Sequence, residues 1–159
     1  MSKRLRIGFL ILVIAAVAVL MVWPYLAKGK DSEDEPVSTP ETPRAALDQA
    51  LTGDRVVILV FSYDSQCCPS TEPFFSAYKK SVYESAGAFG EDVQLVWVNT
   101  GVESPEEQQE IQEIAREYEV TYIPTLLVID KNKQVVESLV GPFDAALFEE
   151  IVRREVGTN

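Results

Sequence analysis

The sequence predicts an α/β domain in which a mixed sheet of about four strands is flanked by helices. Short apolar runs bounded by polar residues alternate with segments whose apolar residues recur at helical spacing. The first two strands are separated by a helix, and the last two only by the polar turn Asp130–Lys133. The order strand, helix, strand, helix, strand, strand, helix therefore joins a parallel pair to an antiparallel hairpin, with helices on both faces.

Four elements are predicted in the first half of this domain. The runs Val56–Phe61 and Val93–Val98 are apolar and rich in β-branched residues, which is typical of buried strands. Arg44–Leu51 is a short helix candidate, and Ser70–Ser85 is a longer one, with Pro73 in or near its first turn, where proline is tolerated. One side of the longer helix is apolar and consists of Phe74, Phe75, Tyr78 and Val82.

The next helix has a strong start signal at Ser104. Pro105 occupies the first helical position, and Glu107 stands three residues after the capping serine. The predicted buried face of this helix is formed by Ile111, Ile114, Ala115 and Tyr118.

The final elements are a hairpin and a helix. Thr125–Ile129 and Gln134–Val140 are the predicted strands, and Asp144 is placed to cap the helix that follows. Its predicted inward side chains are Leu147, Phe148, Ile151 and Val152, and Arg153 and Arg154 stand at its carboxyl end.

The N-terminus has the pattern of a membrane anchor. Lys3, Arg4 and Arg6 precede an uncharged run from residue 7 to 26, which at 1.5 Å per helical residue is long enough to cross a bilayer. A cleaved signal peptide is the alternative, although its apolar core is normally shorter, roughly 7–15 residues. We therefore expect an uncleaved signal-anchor over residues 1–27. The positive start keeps the N-terminus in the cytoplasm, so that the chain faces the periplasm or the extracellular side of the cytoplasmic membrane.

Residues 28–43 are polar, charged and proline-containing, which predicts a disordered linker before a domain over residues 44–159. The formal net charge of −11 disfavours nucleic acid and anionic lipid as partners of the domain. The absence of histidine removes the usual general base and a common metal ligand. We predict no metal site and no bound cofactor.

The two cysteines, Cys67 and Cys68, are adjacent and follow the first predicted core strand at the start of a predicted helix. Free N–H groups and the dipole at a helix start stabilise a thiolate and lower its pKa, which predicts a reactive thiol. A disulfide between the two would be strained, because neighbouring Cα atoms lie about 3.8 Å apart and relaxed disulfides need roughly 4.4–6.8 Å. The alternative is that both are small buried hydrophobic residues.

The segment Tyr118–Asp130, and above all Ile123-Pro124-Thr125-Leu126-Leu127, resembles the thioredoxin segment that ends a helix, places a cis-proline and enters a central strand. Gly141 after the last strand also fits. The resemblance covers roughly residues 44–155. It implies dithiol–disulfide exchange with protein thiols or disulfides, with Pro124 cis and close to Cys67. It also implies that Pro69, Tyr122 and Ile123 belong to the substrate-binding surface.

The sequence departs from the thioredoxin pattern at the motif itself. The tetrapeptide is Cys67-Cys68-Pro69-Ser70, so serine stands at the position of the resolving cysteine. The strand position at which thioredoxins carry a buried acid falls near Val60 in this sequence, so the usual proton-transfer helper is missing. In a second alignment with the motif, counted back from Pro73 as the proline that kinks the helix, Ser65 and Cys68 occupy the two cysteine positions. Only the buried thiol of the motif then remains.

Three functions are compatible with these residues. The leading one is a membrane-tethered thiol–disulfide oxidoreductase, in which Cys67 attacks a substrate disulfide and Cys68 or an external thiol resolves the adduct. The second is a binding or assembly module on a thioredoxin scaffold that has lost its redox chemistry. The third is a carrier of a soft metal such as Cu(I), for which two adjacent thiolates are geometrically awkward.

Overall fold

A computed structural model describes residues 42–63 and 69–157 of the chain. These ranges contain four helices, four strands and one turn of 3₁₀ helix. In chain order they are α1 (Pro43–Leu51), β1 (Val56–Ser62), α2 (Glu72–Gly87), the 3₁₀ turn (Gly90–Asp92), β2 (Val93–Asn99), α3 (Pro105–Glu117), β3 (Thr125–Ile129), β4 (Val135–Val140) and α4 (Ala145–Gly157).

The four strands form one mixed sheet in the order β2-β1-β3-β4. β1 pairs parallel with β2 and antiparallel with β3, and β3 and β4 form the antiparallel hairpin. The predicted mixed sheet of about four strands with flanking helices is confirmed. All seven residues of β1 are buried, because the strand has a neighbour on each side and helices cover both faces.

Two apolar cores lie on opposite faces of the sheet. Val56, Ile58 and Val60 of β1 point to one face, and the alternate residues Val57, Leu59 and Phe61 point to the other. The first core is closed by α2 and α4 through Tyr78, Val82, Ala86, Phe148, Ile151 and Val152. The second core is closed by α1 and α3 through Leu47, Ala50, Ile111 and Ile114.

The predicted start signals of two helices are confirmed by their hydrogen bonds. The side chain of Ser104 accepts a hydrogen bond from the backbone N–H of Glu107, at 3.3 Å. The carboxylate of Asp144 accepts hydrogen bonds from the N–H groups of Ala146 and Leu147, at 2.8 and 3.2 Å. Each cap satisfies helix-terminal donors that have no partner within the helix.

Two predictions about helices are wrong. The helix expected from Ser70 begins at Glu72, so Ser70 lies in the preceding turn. With Glu72 first, Pro73 is the second helical residue, whereas a start at Ser70 would require from Pro73 an N–H that proline lacks. Leu147 was expected to point inward but is 50% exposed, because the buried stripe of α4 runs through Phe148, Ile151 and Val152.

Within residues 42–63 and 69–157, no helix is long and apolar enough to cross a membrane. The predicted anchor over residues 7–26 and most of the predicted linker lie outside the described residues.

Candidate active site

The candidate site lies where the carboxyl end of β1 meets the beginning of β3. Phe61 of β1 pairs with Thr125, the first residue of β3, so the loop that ends at Pro124 lies beside the last residues of β1. The chain that leaves β1 at Ser62 and Tyr63 leads directly to the two cysteines. Cys67 and Cys68 lie outside the described residues, and their predicted roles therefore stay predictions.

The loop before β3 presents two large side chains to solvent. Tyr122 is 70% exposed and Ile123 is 44% exposed, whereas Pro124 is buried. The Ile123–Pro124 peptide bond is cis, which confirms that prediction. The loop is held from both sides: the Thr125 hydroxyl donates to the carbonyl of Tyr122 at 2.7 Å, and the Gly141 N–H donates to the carbonyl of Pro124 at 2.8 Å. Tyr122 and Ile123 are therefore accessible side chains on an anchored backbone.

A tight helix end directs the chain into this loop. After α3, the N–H of Val120 donates to the carbonyl of Ala115 at 2.7 Å, and the N–H of Glu119 donates to that of Arg116 at 3.3 Å. Glu119 has a φ of 55°, in the left-handed region. This is the Schellman motif, in which glycine usually occupies the left-handed position that Glu119 has here. Sequence reasoning missed it because glutamate carries no signal for a left-handed conformation.

Aromatic side chains connect the end of β1 to the start of α2. The rings of Tyr63 and Phe75 lie 5.9 Å apart, and Phe74 meets Phe75 edge-on at 5.1 Å. Phe74, which belongs to the predicted apolar side of this helix, is 43% exposed. Pro69 and Ser70 are exposed in the turn just before α2. The first residue of α2, Glu72, stands four positions after Cys68 in the sequence.

A cavity of about 210 Å³ lies between α2 and the segment that follows β4. The ring of Tyr78 meets that of Phe143 edge-on at 5.8 Å, and Phe143 contacts Phe148 at 5.3 Å. The Tyr78 hydroxyl has no hydrogen-bond partner among the described residues, and burial raises the pKa of this hydroxyl above its ordinary value. Sequence reasoning missed Pro142 and Phe143, because neither belongs to a periodic segment. The cavity is lined by Phe74, Ala77, Tyr78, Ser81, Pro142 and Phe143.

The described interior beneath the site is almost entirely apolar. Val60, near the position where thioredoxins hold a buried acid, has no exposed surface. Ser62, Ser85 and Thr125 are the buried polar residues of the described ranges. Within the same ranges, no group of three or more cysteine, aspartate or glutamate residues is arranged to hold a metal ion.

These strands, helices and connections define an α/β protein with the thioredoxin-like fold. The chain is similar in structure to a mutant thioredoxin from Halobacterium salinarum, with 21% identity and a TM-score of 0.52, over 71% of this chain and 85% of that one. It is also similar to the germline-specific thioredoxin Deadhead of Drosophila melanogaster, with 15% identity and a TM-score of 0.51, over 71% of this chain and 93% of that one. No family model matches the sequence, and no curated protein sequence matches it. At these identities the likeness establishes the fold.

Proposed function

We propose that the protein is a membrane-tethered, extracytoplasmic thiol–disulfide oxidoreductase with Cys67 as its nucleophile and Cys68 as a resolving thiol. The observation that carries the proposal is the pairing of Phe61 with Thr125. It sets the Tyr122–Pro124 loop, with its exposed Tyr122 and Ile123 side chains, beside the strand end from which the chain continues to Cys67. In this proposal a substrate polypeptide binds along that loop, close to the strand end from which the chain continues to both thiols.

The chemistry needs these two sulfur atoms and a substrate disulfide. The Cys67 thiolate attacks one substrate sulfur, so that a mixed disulfide forms and the other substrate sulfur leaves as a thiolate. The Cys68 thiolate, or an external thiol, then attacks the Cys67 sulfur and releases the second substrate sulfur, which takes up a proton. The substrate gains two electrons, and the Cys67–Cys68 pair, or Cys67 with the external thiol, becomes the disulfide.

The internal route ends in a disulfide between adjacent residues, which is strained and easily reduced. A pair of this kind passes its disulfide on readily to another thiol. The same steps in reverse oxidise a substrate dithiol, and the redox potential of the compartment sets the net direction.

The test is to trap mixed disulfides with a model disulfide substrate. Cys67→Ser is expected to abolish the adduct, because the attacking sulfur is gone. Cys68→Ser is expected to make the adduct accumulate, because resolution by the neighbouring thiol is lost. Adduct yields of the parent and both variants are compared by mass spectrometry after acid quenching. If Cys67→Ser traps as well as the parent, Cys68 is the working thiol and the second alignment with the motif is correct.

One observation favours a second function, a binding or assembly module without redox chemistry. Val60 is buried among apolar residues near the position where thioredoxins carry an acid that helps proton transfer, so that helper is missing. If neither cysteine forms an adduct, and both react slowly with an alkylating reagent in the native protein, the module replaces the oxidoreductase.

A further inference from the structure

The cavity between α2 and the segment after β4 is connected to the Tyr122–Pro124 loop through Gly141 and Pro142. Thr125 pairs with Val140, which is 58% exposed, and the next residue, Gly141, is hydrogen-bonded to Pro124. Pro142, which follows Gly141, already lines the cavity. The backbone of Gly141 and Pro142 therefore places the edge of the cavity close to the Tyr122–Pro124 loop.

The walls of the cavity are apolar and held in place by their neighbours. Phe143 is fixed between Tyr78 and Phe148 by ring contacts of 5.8 and 5.3 Å. Tyr78 itself is 4% exposed and belongs to the core beneath α2. Phe74 is 43% exposed, so this part of the lining is accessible from solvent. Such a pre-formed apolar hollow is suited to one apolar group, because little ordering is needed when the group enters.

We infer that this cavity binds a bulky apolar side chain, aromatic or branched aliphatic, of the polypeptide whose disulfide reacts at Cys67. The volume of about 210 Å³ is sufficient, since an apolar cavity of about 150 Å³ holds a benzene-sized ring. The inference rests on the proposed function, because the occupant is taken to be the polypeptide that lies along the Tyr122–Pro124 loop.

Charge further defines the occupant. The chain has a formal net charge of −11, and a polypeptide with basic residues near its apolar side chain is attracted to it. The preferred partner is therefore a cationic extended segment in which one large apolar residue lies close to the reacting cysteine.

The binding test uses peptides that cannot react, so that its outcome does not depend on the redox chemistry. Fluorescent peptides carry serine in place of cysteine, two flanking lysines, and phenylalanine, leucine or alanine at each position in turn. Their dissociation constants for the full chain in detergent are measured by fluorescence anisotropy. At the position that reaches the cavity, alanine is expected to bind about tenfold or more weakly than phenylalanine or leucine, as burial of a large apolar side chain implies.

Two substitutions on the same helix assign the preference to the cavity. Ser81→Phe adds a ring to the cavity lining, whereas Ser76→Phe adds the same ring at an exposed position outside that lining. Ser81→Phe is expected to remove the preference for phenylalanine, and Ser76→Phe to retain it. Ala77→Leu reduces the cavity from an exposed position of the lining and replaces Ser81→Phe if that variant unfolds.

Each result has one meaning. A preference that is absent from the parent, or unchanged when the cavity is filled, overturns the inference. Binding of free toluene to the cavity as tightly as the best peptide overturns it in favour of a small-molecule ligand. A preference that is lost on filling supports it even if the trapping experiment finds no adduct. In that case the oxidoreductase fails and the side-chain site remains.

Discussion

The backbone N–H of Gly141 donates a hydrogen bond of 2.8 Å to the carbonyl of Pro124. This contact joins the end of β4 to the loop that presents Tyr122 and Ile123. Gly141 has a φ of +77°, a conformation that side chains other than glycine rarely adopt. The position of the candidate substrate loop therefore depends on a backbone conformation that glycine supplies one strand away.

Gly141→Ala is expected to lower the free energy of unfolding by about 1–2 kcal/mol, because the left-handed conformation becomes costly for a residue with a Cβ. The added methyl group meets no heavy atom within 4 Å, so the effect is conformational rather than steric. Urea denaturation followed by circular dichroism measures the change. Gly87→Ala is the matched control, because Gly87 is the last residue of α2, has no positive φ and is equally open. An equal loss in both variants would contradict this explanation.

Glu119→Gly is expected to change the free energy of unfolding in the opposite direction from Gly141→Ala. Glycine adopts the left-handed conformation without strain, which favours the folded state, but it also has more backbone entropy in the unfolded chain, which opposes folding. The net effect is expected to raise the free energy of unfolding by about 0.5 kcal/mol. Gln112→Gly, at an exposed position inside α3, is the control and is expected to cost about 1 kcal/mol. The same denaturation experiment compares both. A loss in Glu119→Gly as large as that in Gln112→Gly would show that the helix end does not favour glycine.

The same residues show why the sequence predicts the sheet better than the site. Two strands are apolar runs whose composition alone predicts their burial, namely Val56–Phe61 and Thr125–Ile129. Their predicted and observed ranges agree within one residue. The helix between β1 and β2 and the short turn between β3 and β4 predict the parallel pair and the hairpin, whereas the connections do not predict that β3 pairs with β1. The site is built from segments without periodicity: the turn at Glu119, the loop at Tyr122 and the stretch from Gly141 to Phe143. Their conformations are set by hydrogen bonds and ring contacts between segments distant in sequence.

The resemblance to thioredoxins supplied what periodicity did not, namely the cis bond before Pro124. It did not indicate the cavity, because helical spacing places Phe74 on the apolar side of α2 without showing how much of that side is covered. Phe74 and Leu147 are both large apolar residues in a predicted apolar stripe, yet each is close to half exposed. Spacing specifies a helix face, whereas the neighbouring elements decide how much of that face is covered.

Two buried hydroxyls are expected to respond differently when they are removed. The Tyr78 hydroxyl has no partner among the described residues, so Tyr78→Phe is expected to leave the free energy of unfolding unchanged or raise it by up to about 1 kcal/mol. The Thr125 hydroxyl donates to Tyr122, so Thr125→Val is expected to lower it by about 1 kcal/mol. Parallel urea titrations measure both. A clear loss of stability in Tyr78→Phe would reveal a partner for that hydroxyl.

The turn between β3 and β4 is expected to make stability depend on acid pH through Asp130. Its carboxylate accepts hydrogen bonds from the N–H of Gln134 at 2.8 Å and of Asn132 at 2.9 Å. These bonds, the one from Gln134 first, lower the pKa of Asp130 below its ordinary value of 3.8. The stabilisation is therefore present above the unfolded pKa and is lost as the pH falls through the lower folded pKa.

Asp130→Asn tests this assignment, because an amide oxygen still accepts hydrogen bonds but does not titrate in this range. The variant is expected to be less stable than the parent at neutral pH and to lose less stability between about pH 5 and about pH 2. Urea midpoints across that range give the comparison. Asp54→Asn is the control, because Asp54 is an exposed carboxylate that accepts no hydrogen bond among those described. Identical acid profiles for the parent and Asp130→Asn would exclude Asp130 as the source.

The membrane tether and the side on which the thiols lie are expected to be demonstrable in one experiment. The uncharged run over residues 7–26 behind three basic residues predicts that the full chain stays with membranes through an alkaline carbonate wash. Cys67 and Cys68 are the only cysteines of the chain, so a membrane-impermeant maleimide reports their side of the membrane directly. Intact cells without an outer membrane are expected to label the parent fully before permeabilisation, and the double variant Cys67→Ser, Cys68→Ser sets the background. Labelling only after permeabilisation would place the domain in the cytoplasm. A mature protein that begins after Ala27 and washes off the membrane would replace the anchor with a cleaved signal peptide.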